Sequence, residues 1–486
     1  APYVVNPPIQ PTAPSYVIRL HDGSLLMLED GFNQSVSLAS IRKYDGVQSS
    51  ISNDPSAIPI ELTLGLDFGT SSTKVVIGDP QQQRAFAVPF MKGKGIDSFL
   101  LPGIVGLSGE FKLLSGDVFY RDLKLALTGD PDDGAICAVV AFFAFVIRYA
   151  RAWLFANYES LYKSSFILWN IVVGTPSDDN VDNRYSELIQ RIGKAAWAAA
   201  GKRGAITRGM IEECLALPLS DLDVEVSSCS EIAAQMYAFV SSESFDPHGN
   251  NIFMMVDVGA GTLDSSVFYV SRSEDESWRF VTFSSSVEFN GSVNLHRYRL
   301  AWLSDAVSAQ YSGRVDLVAS IAEAVNKSDC LVRIPDSIND YISNMKIDFS
   351  ADNQQPDNRF RESRVATQVY EVYQKARSEG GVPKHQLIDL PTFYCGGGMR
   401  MPFYRAIPTL FNKKTANYSW IRPVPRKLVK PEKLVAPGLH ESDYDRLSVA
   451  YGLALMRRDE FVTVNKVSHP EVPEIAVPSD YILYPK

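Results

Sequence analysis

Two short stretches carry the same residue types in nearly the same order. One is DFGTSST, from Asp67 to Thr73, and the other is DVGAGTLD, from Asp257 to Asp264. In each, an apolar run ends on an aspartate and is followed by glycine and small hydroxyl residues. Glycine lets a backbone approach a ligand closely and reach positive φ. Successive free N–H groups then form an anion-binding nest, which Ser or Thr hydroxyls extend. A carboxylate beside a bound phosphate repels it unless a cation lies between them, so Asp67 and Asp257 read as outer ligands of Mg²⁺, reached through water. A single turn of this kind is equally at home as a structural tight turn. Two of them, about 190 positions apart, suggest two related halves that clamp a polyphosphate from opposite sides.

The elements that must position these turns follow from the patterning. Leu62 to Asp79 and Asn251 to Val270 each read as strand, turn and strand, and the alternation of strands with helical stretches from Leu62 onward implies an α/β body. Phe166 to Pro176 is an almost continuous apolar run, suited to a strand buried on both faces. Arg184 to Lys202 has helical periodicity. Asp389 to Ile407 reads as a strand, a glycine turn and a helix start, and Asp445 to Met456 as a helix of small residues able to pack closely on another helix. Ahead of the body lie five prolines in the first fourteen residues, a hairpin signal at Asp22-Gly23 between Tyr16 and Leu28, and a linker at Ser49 to Pro59.

Composition sets the bounds. A chain of 486 residues exceeds one ordinary core and predicts two or three domains. A net charge of −9 argues against non-specific nucleic-acid binding. Five scattered cysteines without CxxC spacing and six dispersed histidines suggest neither a disulfide framework nor a zinc site, but reduced thiols in the cytoplasm. The N-terminus lacks the basic and apolar regions of a signal peptide. Ala135 to Ile147 is the most apolar segment, but a bilayer needs ~20 residues, so a buried helix and no membrane are expected.

Five motifs in order resemble the actin-like ATPase superfamily, and within it the nucleotide-binding domain of the DnaK-type (seventy-kilodalton heat-shock protein) chaperones. They are GLDFGTSSTK, VDVGAGTLD, CGGGMRMP (Cys395 to Pro402), and the helices EIAAQMYAF (Glu231 to Phe239) and SVAYGLA (Ser448 to Ala454). The resemblance implies an α/β, two-lobed actin-like fold with duplicated ribonuclease-H-like cores and a small N-terminal β extension. The expected units are 1–60 as arm and hairpin, 61–248 and 249–444 as the two lobes, 445–460 as a connecting helix, and 461–486 as a proline-punctuated tail. It also implies ATP or ADP with Mg²⁺, and a monovalent cation such as K⁺. Asp67, Asp257 and Asp264 would serve the metal. Gly69, Thr70, Ser71, Gly259, Ala260, Gly261 and Thr262 would meet the phosphates, and Gly397, Gly398 and Arg400 the adenosine, with the Arg400 guanidinium stacked on the base. Lys124, in FYRDLKLALTG, would reach the γ-phosphate and Glu231 would face the attacking water, completing a catalytic set with Asp257 and Thr262. Pro176 falls where the family couples its lobes.

The chain departs from that pattern at Ala260 and Gly398, where the family has glycine and serine. It departs again at Arg446, where the family has an acid, and between Leu295 and Leu390, where no counterpart of the charged adenine-clamping helix stands out. Only about thirty residues follow the last motif, so a peptide-holding domain is not expected. The expected activity is slow Mg-dependent ATP hydrolysis that opens and closes the lobes to regulate a protein partner, reached through the N-terminal extension or the tail. The alternatives are an actin-like filament or scaffold, and a small-molecule kinase, because GLDFGTSSTK also resembles the opening motif of sugar and polyol kinases. The basic, proline-broken stretch from Ile421 to Val435 reads as a solvated loop.

Overall fold

Strict alternation builds the first hairpin. In β1 (Ile58–Phe68) Leu62, Leu64, Leu66 and Phe68 are fully buried, and β2 (Ser72–Asp79) returns antiparallel with every residue buried. The computed structural model describes residues 16–19, 25–28, 56–127, 129–175, 183–218, 220, 224–272, 277–310, 319, 321, 334–343, 355–414, 418, 420–456 and 461–465. Pro176, the proline-rich start, most of the Ser49–Pro59 linker, the tail beyond 465 and most of the 311–333 stretch lie outside these residues.

The body is mixed α/β. After β1 and β2, β3 (Arg84–Ala87) completes an antiparallel meander, while β4 (Ser165–Thr175) lies parallel to β1 and β5 (Glu225–Ser230) parallel to β4. The first sheet therefore runs β3-β2-β1-β4-β5. The second begins with the meander β6 (Ile252–Val258), β7 (Leu263–Arg272) and β8 (Trp278–Glu288). Next, β9 (Leu390–Cys395) lies parallel to β6, and β10 (Pro423–Arg426) parallel to β9. Its order, β8-β7-β6-β9-β10, traces the same path again. Even the edges correspond: β11 (Leu434–Val435) adds parallel to β3, and β12 (Phe461–Asn465) adds parallel to β8.

Helices fill the layers between and around the sheets. The parallel strand pairs need long crossovers, and helices supply them. Helices α1 (Asp133–Tyr162), α2 (Asn183–Gly201) and α3 (Arg208–Leu215) pack on the outer face of the first sheet. Two helices lie between the sheets: α4 (Glu231–Val240), which follows β5 without a break, and, near the end of the body, Ser448–Leu455. Their Ala233, Met236, Ala450 and Ala454 share one cluster with Val76 of β2 and with Phe253, Phe268 and Phe393 of the second sheet. The far face of the second sheet is covered by α5 (Ser292–Gln310) and α6 (Ala366–Ser378), through Leu295, Val369 and Val372 against Val256 and Val267. Helix Ser448–Leu455 is α7.

Glycine decides how closely α7 lies on the first sheet. A Cβ added at Gly65 would stand 2.4 Å from the Ala450 carbonyl oxygen, and one at Gly78 2.0 Å from that of Ala454. The helix backbone thus rests directly on β1 and β2, as its small residues suggested.

Helix α1 is the one helix among the described residues long and apolar enough to cross a membrane, and most of its apolar stretch is buried in the first core. Asp132 caps it, its Oδ1 accepting from the Ala135 N–H at 2.7 Å. Strand β4 differs from the expectation of burial on both faces. Ile167, Trp169 and Ile171 are buried, but Phe166 and Leu168 are 40% and 42% exposed. Helices α4 and α7 cover only the C-terminal half of that face, where Leu453 meets Val172. The Ile421–Val435 stretch is more than a solvated loop, since its ends form β10 and β11 and carry the chain from the second sheet to the first. The strands Tyr16–Arg19 and Leu25–Leu28 pair antiparallel as the Asp22-Gly23 signal predicts, and Ile342–Ser343 adds a third strand.

Substituting Gly65 by Ala should overpack the α7 contact and cost about 1–3 kcal/mol. Gly209→Ala on α3, where the new methyl meets open space, should leave stability unchanged or raise it. Urea unfolding of the two variants checks this directly.

Candidate functional site

The two glycine turns are built to one register. Asp67 lies opposite Lys74 and Phe68 opposite Thr73 in the first hairpin, and Asp257 lies opposite Asp264 and Val258 opposite Leu263 in the second. The first turn is fixed from below, where the Phe68 ring meets Phe143 edge-on with centroids 4.9 Å apart. The second is fixed from behind by the start of α5. There the N–H groups of Ser292 and Val293 donate to the carbonyls of Gly259 and Ala260 at 3.1 and 2.8 Å. The Gly261 carbonyl accepts from Gly291 N–H and, at 2.6 Å, from the Asn294 amide. With these carbonyls drawn towards α5, no backbone hydrogen bond engages the N–H of Ala260 or Gly261 among the described residues. The turns meet across the interface: a Cβ on Gly261 would lie 3.3 Å from the Thr70 methyl.

Between the turns is a cleft of about 330 Å³, at the small end of ligand sites. Four of its charged groups form two pairs. Lys74 Nζ lies 3.0 Å from Asp67 Oδ2, and Lys124 Nζ donates to Glu231 Oε1 at 2.7 Å. Gln235 donates to Asp257 Oδ2 at 2.9 Å. Glu231 is the first residue of α4, where the helix dipole favours an acid, and Ser230 caps that helix by accepting from the Ala233 N–H. Among the described residues Asp264 Oδ1 is buried without a hydrogen-bond partner, although Thr262 favours the charged form of the carboxyl.

Burial governs the titration of these groups. It pushes the Asp257 carboxyl up to about 6, against the opposing hydrogen bond from Gln235. It pushes Asp264 up to about 7, reinforced by the negative charges of Glu231 and Asp257. Burial alone would lower Lys124, but Glu231 and the nearby acids outweigh it and hold the ammonium above its usual value.

Most of the residues expected from the sequence converge here. Asp67, Gly69, Thr70, Ser71, Lys124, Glu231, Asp257, Gly259, Ala260, Thr262, Asp264, Gly397 and Gly398 line the cleft, and Gly261 backs it against Thr70. Arg400 does not line it. Asp445 holds its guanidinium in two hydrogen bonds of 2.7 and 2.6 Å, Asp443 adds a third at 3.2 Å, and Arg400 lies in a neighbouring depression. Lys74, Gln235, Asp445 and Arg446 line the cleft without having been singled out as site residues. Lys74 was the legible one, because counting back across the hairpin puts it opposite Asp67.

A scan against protein-family models finds no match to this chain, and a search of curated proteins finds none either.

Among the described residues, no three His, Cys, Asp or Glu side chains gather into a metal cage. Mg²⁺ commonly makes do with one or two carboxylates, waters and phosphate oxygens. Asp257 and Asp264, with its partnerless oxygen, fit that manner of binding. Asp67 fits it only by exchanging its ion pair with Lys74.

The raised carboxyls set a pH dependence. The folded protein keeps the Asp264 proton up to about pH 7, whereas the unfolded chain loses it near the ordinary value of 3.8. Stability of the ligand-free protein should therefore fall as pH rises from about 4 to about 7. In Asp264→Asn that contribution disappears, so the variant should be more stable than the parent at pH 8, with the gain vanishing towards pH 4. Urea unfolding across this range, without ligand, measures it.

Proposed function

We propose that the chain is an actin-like, two-lobed ATPase similar to the nucleotide-binding domain of DnaK-type chaperones, binding Mg-ATP between its lobes. The observation that carries this reading is the meeting of two equivalent turns. Hairpins of identical register, from two sheets of identical path, present glycine-rich loops to each other across one cleft. A meander followed by two parallel strands, used twice, is also what duplicated ribonuclease-H-like cores would have.

In this reading the free N–H groups at Ala260 and Gly261 and the hydroxyls of Thr70, Ser71 and Thr262 cradle the phosphates. Mg²⁺, when bound with the nucleotide, would supply neutralisation of the phosphate charge, and Asp257 and Asp264 would hold it through water. Lys124 and Glu231 now satisfy each other. A terminal phosphate would draw the ammonium towards itself and release the Glu231 carboxylate to orient the attacking water. Phosphoryl transfer needs little more from the protein than such positioning and charge compensation. Both α4 and α7 lie between the sheets, so closure around a nucleotide would shift them, and a hinge motion of that kind would gate a protein partner. A cytoplasmic site of action fits this role.

The test is phosphate release from Mg-ATP by the purified chain beside Asp257→Ala and Lys124→Ala. Slow turnover is expected, with each substitution lowering it by about 100-fold. ATP binding without turnover would point instead to a scaffold, and absence of ATP binding would defeat the nucleotide reading.

A further inference from the structure

Three cationic side chains line the cleft among the described residues: Lys74, Lys124 and Arg446. Two of them are committed, to Asp67 and Glu231. Arg446 makes no hydrogen bond or ion pair among the described residues. Its nearby acids are already engaged: Asp445 with Arg400, Asp257 with Gln235, and Asp67 with Lys74.

The position of this guanidinium is set by two glycines. A Cβ on Gly397 would stand 2.7 Å from Arg446 Nη1, so the glycine makes room for the arginine. A Cβ on the preceding Gly396 would stand 2.3 Å from Asp257 Oδ1. Arg446 therefore sits one residue along the loop from the second turn's carboxylate, at the charged end of the cleft. Burial disfavours its charge and the like charge of Arg400 adds to the effect, while the charges of Asp445, Asp257 and Asp67 offset this only in part; a guanidinium nonetheless stays protonated in proteins. A partly buried cation with five N–H donors and no acceptor is costly. The planar fork is suited to an oxyanion that can take two parallel hydrogen bonds, as a phosphate does.

We infer that Arg446 grips the phosphate chain of the ligand on the Asp257 side of Gly397. The inference rests on the nucleotide reading above for the ligand's identity, but on the arginine's own surroundings for its chemistry. Arg400, locked by Asp443 and Asp445, buttresses the loop instead.

Calorimetric titration of the full chain with Mg-ATP, ADP, adenosine and inorganic tripolyphosphate tests this, using the parent, Arg446→Gln and Arg446→Lys. Losing a charge-assisted hydrogen-bonded contact should weaken ATP, ADP and tripolyphosphate by roughly 10- to 100-fold in the Gln variant. Adenosine should be unaffected, and Lys, which keeps the charge without the fork, should fall between. Thermal melts establish that each variant is folded, and the Lys variant carries the test if Gln is not. Unchanged affinity for the phosphate ligands in a folded Gln variant would overturn the assignment, as would an equal loss for adenosine. If the parent binds tripolyphosphate through Arg446 but neither nucleotide nor adenosine, the nucleotide reading fails while the role of Arg446 stands. If it binds none of the four, both fall.

Discussion

Two carboxylates facing each other across a buried hairpin are the constraint around which this cleft is arranged. Asp257 and Asp264 are direct cross-strand partners, a placement that like charges make unfavourable. The equivalent pair in the first hairpin is Asp67 and Lys74, which neutralise each other. The same backbone register thus yields one satisfied pair and one frustrated pair. The frustrated one is relieved only in part, by the Gln235 amide on Asp257 and by Lys124 near Asp264. A folded protein tolerates such a pair where the surroundings fix it firmly, and here α5 ties down the turn and β9 flanks Asp257 on the other side.

The same economy applies to the layer between the sheets. Helix α7 brings its backbone against β1 at Gly65 and against β2 at Gly78, and Gly452 brings it equally close to α4 at Ala234. Helix α4 begins with Glu231, whose side chain enters the cleft over Gly174 of β4. The catalytic carboxylate proposed here, the helix that bears it and the helix that braces it are therefore one packed unit. Contacts this close do not deform gradually. A change in the relative position of the two sheets would have to move that unit as a body.

Much of this was legible in the sequence, for local reasons. Asp-x-Gly followed by hydroxyls marks both turns, and alternation marks the strands around them. The small residues of α7 announce close packing. What could not be read depends on distant partners. Sheet order rests on parallel pairings such as β1 with β4, whose paired residues lie about a hundred positions apart. Exposure of Phe166 and Leu168 follows from how far α7 extends, which the strand's own composition does not encode. Gln235 carries no motif, and its role appears only once α4 is placed beside β6. Arg400 has the right spacing from its glycines to reach a ligand, but the acids that restrain it lie 43 and 45 residues further along.

The inventory of charges then says something about how a ligand would be held. Lys74, Lys124, Asp67 and Glu231 form largely buried internal ion pairs, so a phosphate reaching either lysine must exchange one charge-assisted contact for another. The net gain from such exchanges is small, because what is formed resembles what is broken. Groups that start without partners contribute differently. The N–H groups at Ala260 and Gly261 and the guanidinium of Arg446 break no internal pair when they take up a ligand. Affinity should concentrate on those groups, while the exchanging pairs, Lys124 with Glu231 above all, change state when a ligand arrives. Holding and switching would then be separate tasks, carried by different side chains lining one cleft.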